Sequence, residues 1–482
     1  MAIANSFRHF AFYITMRYTT KYLFISFLVI TLVTSCTKDN DDEYVGLLAE
    51  TGEEFSGGQT TIFDVSQNAF GFQAPNLTNQ EGLDFFVGNS LFNQNWVTAP
   101  ASTTARDGLG PLFNARACAG CHFKDGRGRA PEFNGEFSHG FLLRLAVGND
   151  PFGAPIPDPN YGGQLQDQSI MGIDTEAGFE IAYNEVTGAY ADGTPYSLRK
   201  PTYTIINPTQ GAVTATQVSP RVANHMSGMG LLEAISEATL LSFADENDSN
   251  NDGISGKPNY VWDIESNSLQ IGRFGWKANQ PSVLQQVAGA FAGDLGITSS
   301  LFPDENCPPT VNCEDIPNGG APEIEDDNLN KTVLYSQTLA VPGRRDWDTQ
   351  DVLEGKAIFN QLNCVSCHIP KMTTGTHPTV TALSNQTIYP YTDLLLHDMG
   401  DGLADGATDF LANGNEWRTP PLWGIGLIEN VNGHTFLLHD GRARNVEEAI
   451  LWHGGEAETS KNEFKNLAAS DRQKLILFLN SL

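Results

Sequence analysis

Two pentapeptides of one pattern constrain this chain more than any other feature: Cys118-Ala119-Gly120-Cys121-His122 and Cys364-Val365-Ser366-Cys367-His368. In C-x-x-C-H the thiols stand one helical turn apart and a histidine follows the second directly. That spacing suits c-type haem. The two thiols add to the two vinyl groups of one macrocycle, and the histidine reaches the iron as proximal ligand. The chain has only 7 Cys and 10 His in 482 residues, so two full matches do not arise by chance. A zinc knuckle or a thioredoxin-like redox pair explains the cysteines but not a histidine in fifth position twice. The expectation is two covalently bound haem c groups, with His122 and His368 as iron ligands.

The start of the chain points to export. Arg17 and Lys21 precede an apolar stretch, Tyr22 to Val33, too short to cross a bilayer but right for a signal peptide. Residues 1–35 read as that signal peptide, with Met16 as an alternative start. Val33-Thr34-Ser35-Cys36 resembles a bacterial lipobox, which makes Cys36 the lipidation site. The acidic run from Lys38 to Glu43 fits a flexible tether over 36–60. The expected location is the bacterial outer membrane, held by the lipid anchor, periplasmic or surface-facing. In that oxidising space Cys307 and Cys313 are expected to form a disulfide. The net charge of −29 and the lack of a basic stretch exclude nucleic acid as a partner. The same charge can steer a basic electron donor.

The fold class expected is mainly α: two cytochrome c-like helical domains, the first enlarged by loop and β-hairpin insertions. A weak repeat supports this. Phe113-Asn114 and Phe359-Asn360 precede their cysteines at the same distance, with Gly110 and Gly355 just upstream. The N-terminal domain covers 61–335 and the C-terminal domain 336–482. In the first, 141–147 and 179–198 alternate apolar and polar residues around an Asp192-Gly193 turn and read as strands. In the second, 348–362 reads as a helix capped by Asp348, and 445–452 and 471–482 as closing helices.

What a haem protein does depends on the iron's sixth position. For the second haem, Met399 in LLLHDMGDGLADG is the distal candidate and His397 its rival. For the first, SPRVANHMSGMGLLEAISEA offers Glu233 as an acid/base over an open iron and Arg221 to stabilise negative charge. The alternative is ligation by His225, Met226 or Met229, which makes that haem an electron carrier. Asp248, Asn250 and Asp252 begin like a calcium loop, but position twelve holds Asn259, so a solvated Asx turn stays an equal reading. Trp276 and Trp423 are candidates for a relay between the haems.

From about Phe85 to Leu482 the chain resembles the bacterial dihaem oxidoreductases, peroxidase-like proteins also described as predicted thiol oxidoreductases. The resemblance rests on DGLGPLFNARACAGCHFKDGRG, GMGLLEAI, the Asp/Asn-rich turn before GISG, GRFGWKA, CVSCH, LHDMGDGLADG, EWRTPPLWGIG and FLLHDGRARNVEEAILWHGGEA. The last two stretches are also similar to dihaem cytochrome c peroxidases. The resemblance implies a reactive haem on His122 with Glu233 as candidate distal acid, an electron-transfer haem on His368 with Met399 as second ligand, a tryptophan between the haems and a tuning calcium. The activity implied is peroxide reduction at the first haem, fed through the second by a small cytochrome or cupredoxin. The alternatives are a dihaem electron-transfer cytochrome without peroxidase activity, and an oxidase of small thiol or sulfur compounds.

Overall fold

Thr78 starts helix α1 (Asn79–Asn93). Its hydroxyl accepts the Glu81 amide and the Glu81 carboxylate accepts the Thr78 amide, which satisfies two donors that a helix start leaves free. Helix α1 packs along α2 (Asp326–Thr338), and Gly88 permits the approach, because a Cβ there would overlap the Lys331 carbonyl oxygen. A second pair repeats the device. Helix α3 (Gln350–Gln361) packs along α4 (Ala469–Ser481), and a Cβ on Gly355 would overlap the Lys474 carbonyl oxygen. Four residues after each glycine stands a phenylalanine that packs on the histidine of a pentapeptide motif. Phe92 lies 6.1 Å from the His122 ring and Phe359 lies 6.2 Å from the His368 ring.

This computed structural model describes residues 48–136, 140–307, 310 and 312–482. The signal peptide, Cys36 and residues 36–47 of the expected tether lie outside the described residues. The rest of that tether is packed: Glu53 is buried and pairs with Arg344 at 3.0 Å, and with Lys356. Thr61–Ile62 then pairs in parallel with Val341–Pro342. Among the described residues, no helix is long and apolar enough to cross a membrane.

The mainly α, cytochrome c-like expectation does not hold. The structure is 28% helical and 19% strand, with eight two-stranded sheets among the described residues. Strand β1 (Phe141–Ala146) pairs antiparallel with β4 (Gln217–Val222), while β2 (Gly178–Ala189) and β3 (Pro195–Ile206) form a long hairpin between them. Its turn is fixed by Asp192, whose carboxylate accepts the Thr194 amide at 2.9 Å. Strands β5 (Leu396–Asp398) and β6 (Glu416–Arg418) pair late in the chain. The long hairpin follows from local alternation and turn residues, whereas the two-residue strands are set by partners elsewhere in the chain.

The repeat is also differently placed than the sequence suggests. Phe113 lies in a two-residue strand, whereas Phe359 is helical. The structural counterpart of Gly355-Lys-Ala-Ile-Phe359-Asn is Gly88-Asn-Ser-Leu-Phe92-Asn, set farther upstream of its cysteines. Cys307 and Cys313 are joined in a disulfide.

Candidate functional site

Each motif bends into a short helical turn, Cys118–Cys121 and Cys364–Ser366, which brings its two thiols to one side. None of the four forms a disulfide. Burial pushes the Cys118 and Cys364 thiols up to about 12, so they stay neutral. The histidines are oriented alike. His122 Nδ1 lies 2.6 Å from the Asn224 carbonyl oxygen and His368 Nδ1 lies 2.9 Å from that of Tyr391. A carbonyl only accepts, so Nδ1 carries the proton and Nε2 keeps its lone pair for a metal. Burial lowers both imidazoles, His368 to about 4, which holds them in the neutral, ligating form.

Both motifs open on one cavity of about 1120 Å³. That exceeds the ~300–1,000 Å³ of a pocket for a single small ligand. Phe92, Phe359, Leu475 and Leu479 bring the two helix pairs to its wall. The Nδ1 of His225, Nε2 of His439 and Nε1 of Trp423 line it too, buried and without a hydrogen-bond partner in the protein. Orphan polar atoms on an apolar wall are what a large, partly polar ligand leaves when its own groups are their partners. Paired thiols, locked histidines and room beyond one pocket fit two haem groups.

Met399 lines this cavity just past β5. Two residues earlier His397 reaches the second motif, with Nδ1 3.5 Å from Cys367 Sγ. Met399 follows the strand directly, with its amide donating to the Asn415 carbonyl at 3.0 Å. His397 itself is engaged: Nε2 pairs with Asp393 at 2.8 Å and Nδ1 with Glu456 at 2.7 Å. Burial disfavours its charge, but Asp393 above all more than offsets that and holds the imidazole well above its ordinary value. Cys367, Asp393 and His397 place one ligand atom each within 4.8 Å. With both nitrogens of His397 hydrogen-bonded to carboxylates, this is an ion-pair cluster and His397 has no nitrogen left for iron.

The residues expected near the first haem separate. Arg221, in β4, lines the cavity, with Nε donating to Ser219 at 2.7 Å and Asp405 3.5 Å away. Glu233 does not line it. Its carboxylate accepts the Val283 amide at 2.8 Å, the start of the helix Val283–Ala290, and also Gln337 at 2.6 Å, with His377 at 3.1 Å. That is the pattern of a helix-capping, cross-linking carboxylate. Met226 packs with Phe85, Phe92 and Tyr335, on the side of His122 that Phe92 covers.

Trp276 is buried on the cavity wall. Its indole donates to the Val222 oxygen at 2.8 Å, and its own carbonyl accepts the Arg418 amide at 2.9 Å. It therefore joins the segment leading to Asn224 with the strand that pairs with His397. Asp248, Asn250 and Asp252 form Asx turns: Gly253 donates to Asp248 at 3.1 Å, and the Asp252 amide to Asn250 at 2.9 Å. Asn259 is buried elsewhere, its amide donating to the Lys277 and Asp409 carbonyls, so the loop's twelfth ligand is missing.

Three features escaped sequence reasoning. Asp294 lines the cavity, bears electrostatically on both Cys118 and Cys121, and is raised by burial. Trp417 stacks on His439 at 3.7 Å and 11° on the same wall. The carboxylates Asp393 and Glu456 clamp His397. None of these three has a local sequence signal, unlike the Gly-x-x-(Leu/Ile)-Phe-Asn repeat of the helix pairs.

Compared with curated proteins, the chain finds no match. The family model of the di-haem oxidoreductases, described as putative peroxidases, matches residues 51–482. The match takes in both helix pairs, both pentapeptide motifs and the cavity between them, and the chain belongs to that family.

Proposed function

We propose that this protein binds two haem c groups through its two motifs and reduces peroxide at the first, with electrons relayed by the second. The observation that carries the reading is one cavity bearing two matched histidines, each with its Nδ1 held by a backbone carbonyl. When bound, haem supplies the redox-active iron at which peroxide is reduced.

The chain's own residues supply the rest. Asn224 and Tyr391 fix the ring orientation of His122 and His368. Met399 would be the second protein ligand of the group held by His368, and the chemistry supplied there would then be electron transfer. Asp294, in place of Glu233, would be the acid/base group on the cavity wall; burial raises its carboxyl, which accepts a hydrogen bond from Gln164 at 2.7 Å. Arg221 adds positive charge on the same wall. Trp276 spans the two sites. The donor is a small basic cytochrome or cupredoxin, drawn by the net charge of −29. Export and a lipid anchor at Cys36 complete the reading.

The test is steady-state reduction of hydrogen peroxide by the haem-loaded protein with a reduced small cytochrome as donor. Donor oxidation that needs both peroxide and protein is expected, and Asp294→Asn should lower kcat by about 10²-fold. No turnover above buffer would overturn the reading.

A further inference from the structure

Beside the first motif lies a hydrogen-bonded phenol that the mechanism above leaves unused. Tyr335, on α2, is fully buried, and its hydroxyl donates to Asp125 Oδ1 at 2.5 Å. Asp125 is also buried, and its backbone amide donates to the His122 carbonyl oxygen. One ring separates Tyr335 from the ligand histidine: Phe92 lies 5.1 Å from Tyr335 and 6.1 Å from His122.

The second motif has the same rings without the acceptor. Phe359 packs on His368 at 6.2 Å and on Tyr391 at 5.9 Å. The Tyr391 hydroxyl, however, is buried with no hydrogen-bond partner. A buried phenol loses an electron readily only if its proton can leave at the same time, since the alternative is an unpaired charge in a low-dielectric interior. Of Tyr335 and Tyr391, the one near the expected peroxide site is so equipped.

We propose that Tyr335 is a redox-active residue, which gives one electron toward the first haem while its phenolic proton passes to Asp125. The inference rests on the peroxidase reading, and the oxidant is a hydroperoxide. Reducing hydrogen peroxide to two waters takes two electrons and two protons. Tyr335 supplies one of those electrons, the reduced donor supplies the other through the second site, and both protons come from solvent. Its O–H bond breaks, a new O–H bond forms on Asp125 Oδ1, and a neutral phenoxyl radical remains. One electron from a later donor, with the proton returned by Asp125, restores the phenol. The site thus stores one oxidising equivalent when the second haem cannot deliver in time.

The experiment is freeze-quenched electron paramagnetic resonance of the haem-loaded protein mixed with equimolar hydrogen peroxide. An organic radical is expected whose hyperfine pattern changes when ring-deuterated tyrosine is incorporated. Tyr335→Phe should abolish it, and Tyr391→Phe should not. Asp125→Asn keeps the size of the side chain and suits the backbone, whose φ is 61°, but removes the acceptor, and it too should abolish the radical. A radical that survives unchanged in Tyr335→Phe, or insensitivity to deuteration in the unsubstituted protein, overturns the proposal. So does the absence of a radical when peroxide alters the haem signals, which leaves the peroxidase reading standing. Haem signals untouched by peroxide overturn both.

Discussion

His122 and His368 are set for iron by the carbonyls of Asn224 and Tyr391, and no charged group is needed to hold either ring. His397 is managed in the opposite way. It stands between Asp393 and Glu456 as a buried cation with two anionic partners. Glu456 also accepts the amide of Asp398, next to Met399, at 3.1 Å, so the cluster fixes the strand that presents the methionine. Removing the cation leaves two buried carboxylates, and His397→Gln is expected to cost ~3–5 kcal/mol at neutral pH. The pH dependence has a definite sign. His397 is raised in the folded state, so its contribution is complete below the free imidazole value of about 6.5 and is lost as pH rises through the higher folded value. Denaturant titrations above that pH should show stability falling in the unsubstituted protein. The same titrations of His397→Gln should lack this component, and an identical slope in both would contradict the assignment.

At the scale of elements, the two helix pairs are the means by which this chain builds two similar sites in otherwise unlike surroundings. Gly88 and Gly355 lie against backbone oxygens of the partner helices, where side chains cannot move away. Gly88→Ala and Gly355→Ala are each expected to destabilise by ~1–3 kcal/mol through overpacking. Each should also shift the spectrum of only one haem, the first through Phe92 and the second through Phe359. Spectra altered at both haems by either variant would contradict independent pairs. The Gly-x-x-(Leu/Ile)-Phe-Asn repeat is legible in the sequence, but Leu112-Phe113-Asn114 offers a decoy nearer the first cysteines. Spacing alone favours the decoy. Only tertiary packing reveals that Phe92, not Phe113, meets the histidine. The β2–β3 hairpin was legible because alternation and an Asp-Gly turn are local signals, whereas the many two-residue strands depend on distant partners that no local pattern encodes.

For the whole molecule, the paired turns of the two pentapeptide motifs and the closing helices were readable because their signals lie in a few adjacent residues. Glu233 was misleading because its partners, Val283, Gln337 and His377, come from distant parts of the chain. An acid in an apolar sequence reads the same whether it caps a helix or faces a cavity. The mainly α expectation failed for a related reason: the motifs fix the site but not the scaffold, and here short strands and loops enclose much of it. Both motifs reach one cavity, and in the proposed function the two haems within it are unequal. Electron paramagnetic resonance of the oxidised, haem-loaded protein beside Met399→Ala tests that inequality most directly. The account predicts one high-spin and one low-spin signal, with only the low-spin signal changed by the substitution. Two low-spin signals that persist on half-reduction and ignore Met399→Ala would contradict it.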